Sequence, residues 1–231
     1  MEIAIIMAAG MGTRMLPVTE SIPKPLVEVR GIPMVETVID GLRSRAVDEI
    51  YVVTGYLGDQ FSYLTKKYNN IYFIENTEYE TVNNISSIYA AREILDREAG
   101  FFICEADLYV EDKTIFDKNL THSCYYGKMV PGFSEDWVFE QNESGRITRV
   151  GKGGKDCYNM VGISYFNSRD AKILKDEIEK AYKVPGFETL FWDDVVNNSL
   201  DKLDLIVEPV NEGQIIEIDT TEELERINQG R

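Results

Sequence analysis

The sequence holds few of the groups that most enzymes use for nucleophilic or metal chemistry. It has one histidine, His122, which leaves no room for a His-dependent triad or a multi-His metal site. Its cysteines, Cys104, Cys124 and Cys157, are odd in number and lack paired spacing. They exclude a disulfide framework or a zinc knuckle, and are expected to be small buried hydrophobes in a reducing cytosol. Positive charge is scarce: 24 Lys and Arg stand against 40 Asp and Glu, a net charge of −16. Such a surface repels nucleic acid and anionic membrane, so neither is expected as a partner. No apolar run is long enough to span a bilayer, and "MEIAIIMAAG" lacks the basic start of a signal peptide, so the chain is expected in the cytoplasm.

What is present is enough apolar material, 44% of 231 residues, for one large α/β domain. "EIAIIMA" reads as a buried parallel strand ending at glycine, and "MVETVIDGLRSR" as a helix with Val35, Val38, Ile39 and Leu42 on one face. "EIYVVTGY", "NIYFIEN" and "GFFICEAD" read as further strands, with helices at "DQFSYLTKKY" and "NISSIYAAREIL" between them. This alternation predicts a doubly wound, mostly parallel sheet. Beyond residue 120, "SCYYGKMV", "DWVFEQ", "GRITRVG" and "YNMVGISYF" suggest short antiparallel or mixed strands. Helices follow at "SRDAKILKDEIEKAYK", with Ser168 as N-cap, and at "ETLFWDDVVNNSL". Strands "LDLIVEPV" and "QIIEID" then lead to a last helix capped by Thr220 or Thr221. The expected organisation is one domain, with a nucleotide-binding core at 1–120, an inserted acceptor-binding region at 121–200 and closing elements at 201–231.

The stretch "IIMAAGMGTRMLPVTESIPKPL" gathers two glycines and two cations, Arg14 and Lys24, directly after the first strand of an acidic chain. It lacks the third glycine of a dinucleotide fingerprint and the Gly-Lys-Ser/Thr of a P-loop. Ligands on open α/β sheets bind beyond the carboxyl ends of the strands. There, Gly10 and Gly12 let backbone N–H groups approach phosphate oxygens, while Arg14 and Lys24 supply charge-assisted hydrogen bonds.

The string AAG-x-G-T-R-(x)2-P-x-T-(x)3-P-K-P-L resembles the signature of the nucleotidyltransferases that activate small phosphorylated compounds with an NTP. Over nearly the whole chain, "GYLGDQFSYL", "VNNISSIYAA", "CEADLYV", "DWVFE", "LFWDDVV" and "IIEIDT" resemble, in order, the small cytidylyltransferases that activate phosphocholine and related phospho- or phosphonoamines. The resemblance implies a Rossmann-like core and a Mg²⁺-dependent attack on the α-phosphorus of CTP that releases pyrophosphate. It implies that Asp107 and Asp219, with Glu217, hold the metal, and that Arg14 and Lys24 grip the triphosphate. It also implies nucleotide contacts from Ala8, Ala9, Gly10, Gly12 and Thr13. The residues agree with this. Asp107 closes a buried strand, whereas Asp219 suits either a metal ligand or a helix N-cap, and two carboxylates plus phosphate oxygens suit Mg²⁺. Asn83, Asn84, Ser86 and Ser87 offer donors and acceptors for a base, with helix capping as the other reading.

The resemblance places "SEDWVF" and "ETLFWDDVV" at the acceptor site, with Glu135, Asp136, Trp137, Phe191, Trp192 and Asp194 around an organic cation. Lys128 and Lys152, with Lys155, are candidates for the acceptor's phosphoryl or phosphonyl group, although "GKGGK" also reads as a surface turn. The phosphocholine members read Asn-Glu-Trp and Tyr-Trp-Asp-Asn where this chain has "EDW" and "FWDD". The exchange removes an aromatic hydroxyl and adds carboxylates, which favours the primary ammonium of 2-aminoethylphosphonate over a quaternary one. A sugar-1-phosphate nucleotidylyltransferase, a non-catalytic nucleotide sensor and a dinucleotide oxidoreductase are the rival readings. The oligomeric state, homodimer included, and fusion to another enzyme domain stay open.

Overall fold

The computed structural model describes residues 1–230. Strand β1 (Glu2–Ala8) sends Ile3 and Ile5 to one face and Ala4, Ile6 and Ala8 to the other, none more than 1% exposed. A strand buried on both faces needs cover on both. The chain supplies it in order. The short pair β2 (Glu28–Val29) and β3 (Ile32–Pro33) leads to helix α1 (Met34–Ser44) and strand β4 (Glu49–Thr54). Then come α2 (Leu64–Lys67), β5 (Ile71–Glu75), α3 (Ile85–Ala91) and β6 (Gly100–Glu105). Strand β1 is central, parallel to β4 on one side and β6 on the other, with β5 beyond β4.

The second half begins with β7 (Leu108–Val110) and the long strands β8 (Ser123–Gln141) and β9 (Ile147–Phe166). Helices α4 (Ser168–Ala181) and α5 (Trp192–Asn197), strands β10 (Leu205–Val210) and β11 (Ile215–Glu217), and helix α6 (Thr221–Asn228) complete it. The seven-stranded sheet runs β10-β8-β9-β6-β1-β4-β5, with β9 antiparallel to both β6 and β8 and every other pairing parallel. Helix α1 packs on one face with Phe102 and Phe116, and α3, α4 and α5 pack on the other with Ile3, Phe101 and Phe166. Among the described residues no helix is long and apolar enough to cross a membrane. All three cysteines are unpaired, Cys104 and Cys124 buried and Cys157 partly so.

The structure differs from the sequence reading in four elements. "DQFSYLTKKY" is mostly a 3₁₀ stretch, Gly58–Tyr63, because the buried Phe61 and Leu64 fall three apart, the spacing that eclipses in a 3₁₀ helix. The four short segments after residue 120 are two long strands with register shifts, which read as breaks in the sequence but bend the ladder without ending it. Helix α4 is capped by Asn167, whose side chain accepts from Asp170 N at 3.0 Å, and Ser168 is its first helical residue. Helix α5 keeps only six residues of its expected span.

Candidate active site

The carboxyl ends of β1 and β6 open into two adjoining cavities. The first, about 320 Å³, is walled by the loop after β1, with Ala8, Ala9, Gly10, Gly12, Thr13 and Arg14 all facing it. Gly12 has φ +63°, and a Cβ there would lie 2.7 Å from the Lys24 Cβ, so only glycine lets the two arms of the loop meet. At Gly10 a Cβ would meet nothing within 4 Å, since that backbone borders open cavity. Thr19 Oγ1 donates to Gly12 O at 2.9 Å and Tyr56 N to Ala9 O at 3.0 Å, which fixes the loop.

Asn83, Asn84, Ser86 and Ser87 line the same cavity. The capping reading does not hold, because no side chain caps α3. Asn84 Oδ1 instead accepts from Trp192 N at 3.0 Å, tying α3 to α5, and Ser86 donates to Asn83 O at 2.8 Å. Asn76, which the sequence reading missed, is buried and donates to both Ser86 Oγ (2.8 Å) and Ser87 Oγ (3.2 Å). Tyr79 and Glu105 also join this wall.

Lys24 is the centre of the site. Its side chain is 7% exposed, and its ammonium lies 2.6 Å from Asp107 Oδ2 and 2.7 Å from Asp219 Oδ1. Burial pulls the lysine pKa down, but the carboxylates, Asp107 foremost, outweigh it and hold the ammonium above its usual value. Arg14 Nη1 reaches Asp219 Oδ2 at 2.6 Å while its side chain stays 67% exposed. Asp219 is not the cap of α6. Thr220 is, in a capping box with Glu223, so the Asp219 carboxylate remains available to the site.

Strand β11 pairs with β7 and sets Glu217 opposite Leu108, beside Asp107. Desolvation, then the charges of Asp219 and Asp107, push Glu217 up to about 7. Desolvation first, then Asp107 and Glu217, raise Glu105 well above the carboxylate range. Carboxylates that raise one another's pKa mark an excess of negative charge that a hard cation relieves. Among the described residues no three acidic, Cys or His side chains form a ready-made metal cage. The Asp107 and Asp219 carboxylates present there suit an ion that takes two carboxylates and completes its shell with phosphate oxygens and water, the habit of Mg²⁺.

The second cavity, about 690 Å³, shares Arg14, Asn84, Glu105 and Asp107 with the first. Asp219 and Glu217 line its near end, and Glu135, Asp136, Trp137, Lys152 and Phe191 its far end. Trp137 and Phe191 meet edge to face at 5.4 Å. The Lys152 ammonium lies 6.0 Å and 5.4 Å from their ring centres, and no carboxylate among the described residues pairs with it. Eight carboxylates against two cations make this cavity strongly acidic.

Four expected residues do not line it, among them Lys155, which sits opposite Phe133 in the ladder. Trp192 is 3% exposed and packs in the core against Tyr125 (5.8 Å) and Phe166 (6.1 Å). Asp194 turns back to accept from Phe191 N at 2.9 Å, closing the start of α5. Lys128 pairs across to Val210 in β10 and lies 3.6 Å from Glu212, outside the cavity wall. In place of Asp194, Asp193 faces the cavity, buried and accepting from Tyr125 Oη at 3.0 Å. Burial foremost pushes it up to about 7. Two consecutive helical residues point about 100° apart, so only one of Asp193 and Asp194 can face the ligand, and the sequence does not say which.

A glycine-bearing loop after the first strand of a mixed, mostly parallel sheet, with a buried lysine between two strand-end carboxylates, defines a nucleotidyltransferase-type α/β enzyme. A MobA-like NTP transferase domain matches residues 4–138, and the chain belongs to that family. It is 52% identical to the 2-aminoethylphosphonate cytidylyltransferase of Lancefieldella rimae, over 98% of this chain and 92% of that protein. It is 31% identical to the choline-phosphate cytidylyltransferase of Streptococcus pneumoniae, over 98% and 96% of the two chains. The structure of CTP:phosphocholine cytidylyltransferase from Streptococcus pneumoniae superimposes with a TM-score of 0.90 at 30% identity, covering 99% of this chain and 98% of that one.

Proposed function

We propose that this nucleotidyltransferase moves CMP from CTP to 2-aminoethylphosphonate. A phosphonate oxygen forms a bond to the α-phosphorus, the bond from that phosphorus to the bridging oxygen breaks, and pyrophosphate leaves. The observation that carries the reading is the 52% identity, spread over 98% of the chain, to a 2-aminoethylphosphonate cytidylyltransferase. The geometry supports it, because a cavity rich in carboxylates and bearing two aromatic rings suits a small acceptor with a cationic amine.

In this reading the loop from Ala8 to Thr13 receives the triphosphate on backbone N–H groups, with Gly10 offering the closest approach. Lys24 and Arg14 neutralise charge that builds on the leaving pyrophosphate, contributing positioning and electrostatic stabilisation. The hydroxyls of Ser86 and Ser87, held by Asn76, face the base. Asp107 and Asp219 would hold Mg²⁺, which when bound supplies Lewis-acid stabilisation of the phosphate oxygens. Lys152, without a carboxylate partner of its own among the described residues, meets the phosphonate, and the ring faces of Trp137 and Phe191 meet the amine end.

The test is a pyrophosphate-release screen of the four NTPs against 2-aminoethylphosphonate, phosphocholine and a hexose 1-phosphate. The highest kcat/KM is expected for CTP with 2-aminoethylphosphonate. A higher value for phosphocholine, or for another NTP, overturns the proposal.

A further inference from the structure

Glu135, Asp136 and Trp137 are consecutive residues of β8, and all three line the second cavity. A regular strand cannot do this, because its side chains alternate between faces. The ladder shows how it is achieved. Ser134 pairs with Gly154 and Trp137 with Lys152, so β8 advances three residues while β9 advances two. The extra residue is a β-bulge, the device by which a strand re-aims a side chain.

The bulge is held from beneath by a closed ring of hydrogen bonds. Asn159 of β9, 8% exposed, donates from Nδ2 to Ser134 Oγ at 2.7 Å and to Asp136 Oδ2 at 3.2 Å. Asp136 N donates back to Ser134 Oγ at 3.2 Å, and Ser134 Oγ lies 3.4 Å from Asp136 Oδ2. Every one of these bonds to the carboxylate ends on Oδ2. Among the described residues no hydrogen bond reaches Asp136 Oδ1, and none reaches the Glu135 carboxylate. Asn159 Oδ1 is itself buried without a partner. An amide that accepts this cost while holding a neighbouring carboxylate is set for that carboxylate, since Asp136 can only accept and Nδ2 must face it.

We infer that Asp136 is the carboxylate that reads the primary ammonium of the acceptor, through Oδ1, and that Asn159 and Ser134 are positioning residues acting through it. The inference rests on the reading of the acceptor given above and adds which side chain sets the preference. Asp193 is a poorer reader, because it is 2% exposed and offers a ligand little surface, whereas Asp136 is exposed. Glu135 is a poorer one because nothing holds it, so its freedom is lost only when the ligand binds. Trp137 follows Asp136 directly and gives the methylene chain and amine an aromatic face. A primary ammonium presents three N–H donors to this corner. A trimethylammonium presents none, and it would shield Asp136 from water without satisfying it.

The experiment compares 2-aminoethylphosphonate with its N,N,N-trimethyl analogue, which keeps the phosphonate and the positive charge and replaces the three N–H donors with bulkier methyl groups, so the size effect is read from the same ratio in wild type. Steady-state kinetics with CTP are read for wild type, Asp136→Asn, Asn159→Ala and the double variant. The ratio of kcat/KM for the primary amine over the trimethyl compound is expected to fall by about tenfold or more in Asp136→Asn. In Asn159→Ala it falls by a smaller factor, through KM rather than kcat, since the amine is remote from the reacting phosphorus. The double variant matches Asp136→Asn alone, because a residue acting through another adds nothing once that other is gone. An unchanged ratio in Asp136→Asn overturns the inference while leaving the acceptor assignment standing. So does an Asn159→Ala variant that slows both acceptors equally, or a double variant whose ratio falls by the product of the single effects. Wild-type enzyme that does not turn over 2-aminoethylphosphonate with CTP overturns the acceptor assignment and this inference together.

Discussion

The Tyr125 hydroxyl donates to Asp193 Oδ1 at 3.0 Å, inside a core that leaves Asp193 2% exposed. Burial outweighs that hydrogen bond and holds the Asp193 pKa at about 7, against an ordinary value near 3.8. The folded protein therefore binds this proton more tightly than the unfolded chain, and stability falls as pH rises from about 4 to about 7. Asp193→Asn keeps an oxygen for Tyr125 and cannot ionise. Thermal unfolding of variant and wild type should nearly coincide at pH 4, and the variant should gain as pH rises to 8. At about 1.4 kcal/mol per pKa unit, the gain reaches at most about 4 kcal/mol. A variant whose advantage is the same at pH 4 and pH 8 would show that Asp193 does not titrate in this window.

Lys24 and Arg14 both touch Asp219, yet their substitutions should behave differently toward stability. Arg14 is largely exposed, and such surface pairs are worth about 0–1 kcal/mol, so Arg14→Ala should unfold near the wild-type temperature. Lys24→Ala removes a buried cation shared by two carboxylates, and its effect on folding should be the larger. Both should lose turnover in the pyrophosphate-release assay, Lys24→Ala by about 10²–10³-fold, the usual cost of one preorganised charge-stabilising donor. Near-normal kcat in both would remove them from the reaction.

The loop wall of the first cavity was legible in the sequence because it is local. Ala8 to Arg14 and Lys24 lie in one loop, and a strand followed by glycine fixes where that loop points. The second cavity was legible in composition but not in direction. Trp137 and Trp192 have the same acidic neighbours, yet one borders a cavity and the other stacks on Tyr125. Nothing local separates them, because the difference lies in how α5 packs against β8 and β9. Asp193 and Asp194 exchange roles for the same reason. The bulge that turns Glu135, Asp136 and Trp137 to one side is a property of pairing with Lys152 and Gly154, and the strand pattern alone cannot show it.

That contrast between the tryptophans can be measured. Trp192→Ala opens a hole in the core and should cost about 3–5 kcal/mol of stability, read by denaturant unfolding. Trp137→Ala removes a half-buried ring at the cavity edge. It should unfold close to wild type while raising the acceptor KM roughly tenfold, the size of a partly desolvated cation–π contact. The opposite pattern, a stable Trp192→Ala with a weakened acceptor KM, would return Trp192 to the acceptor site.

The two carboxylates that share Lys24 give the last expectation. Asp107 leaves the end of β6 and Asp219 follows β11, so strands of two different sheets bring them to one ammonium. Their side chains are 27% and 24% exposed, and each single variant leaves the buried Lys24 ammonium one carboxylate partner, so a neutral isostere should fold. As ligands of Mg²⁺ they would act with the triphosphate, so the ion's affinity should depend on CTP and on both residues. Asp107→Asn and Asp219→Asn should each abolish Mg²⁺-dependent turnover while unfolding near the wild-type temperature. Binding of Mn²⁺ in the presence of CTP, followed by its electron paramagnetic resonance signal, should weaken in both. The two readouts separate ligation from a purely electrostatic role. A variant that loses turnover but binds Mn²⁺ as tightly as wild type would show that its carboxylate positions Lys24 rather than holding the ion.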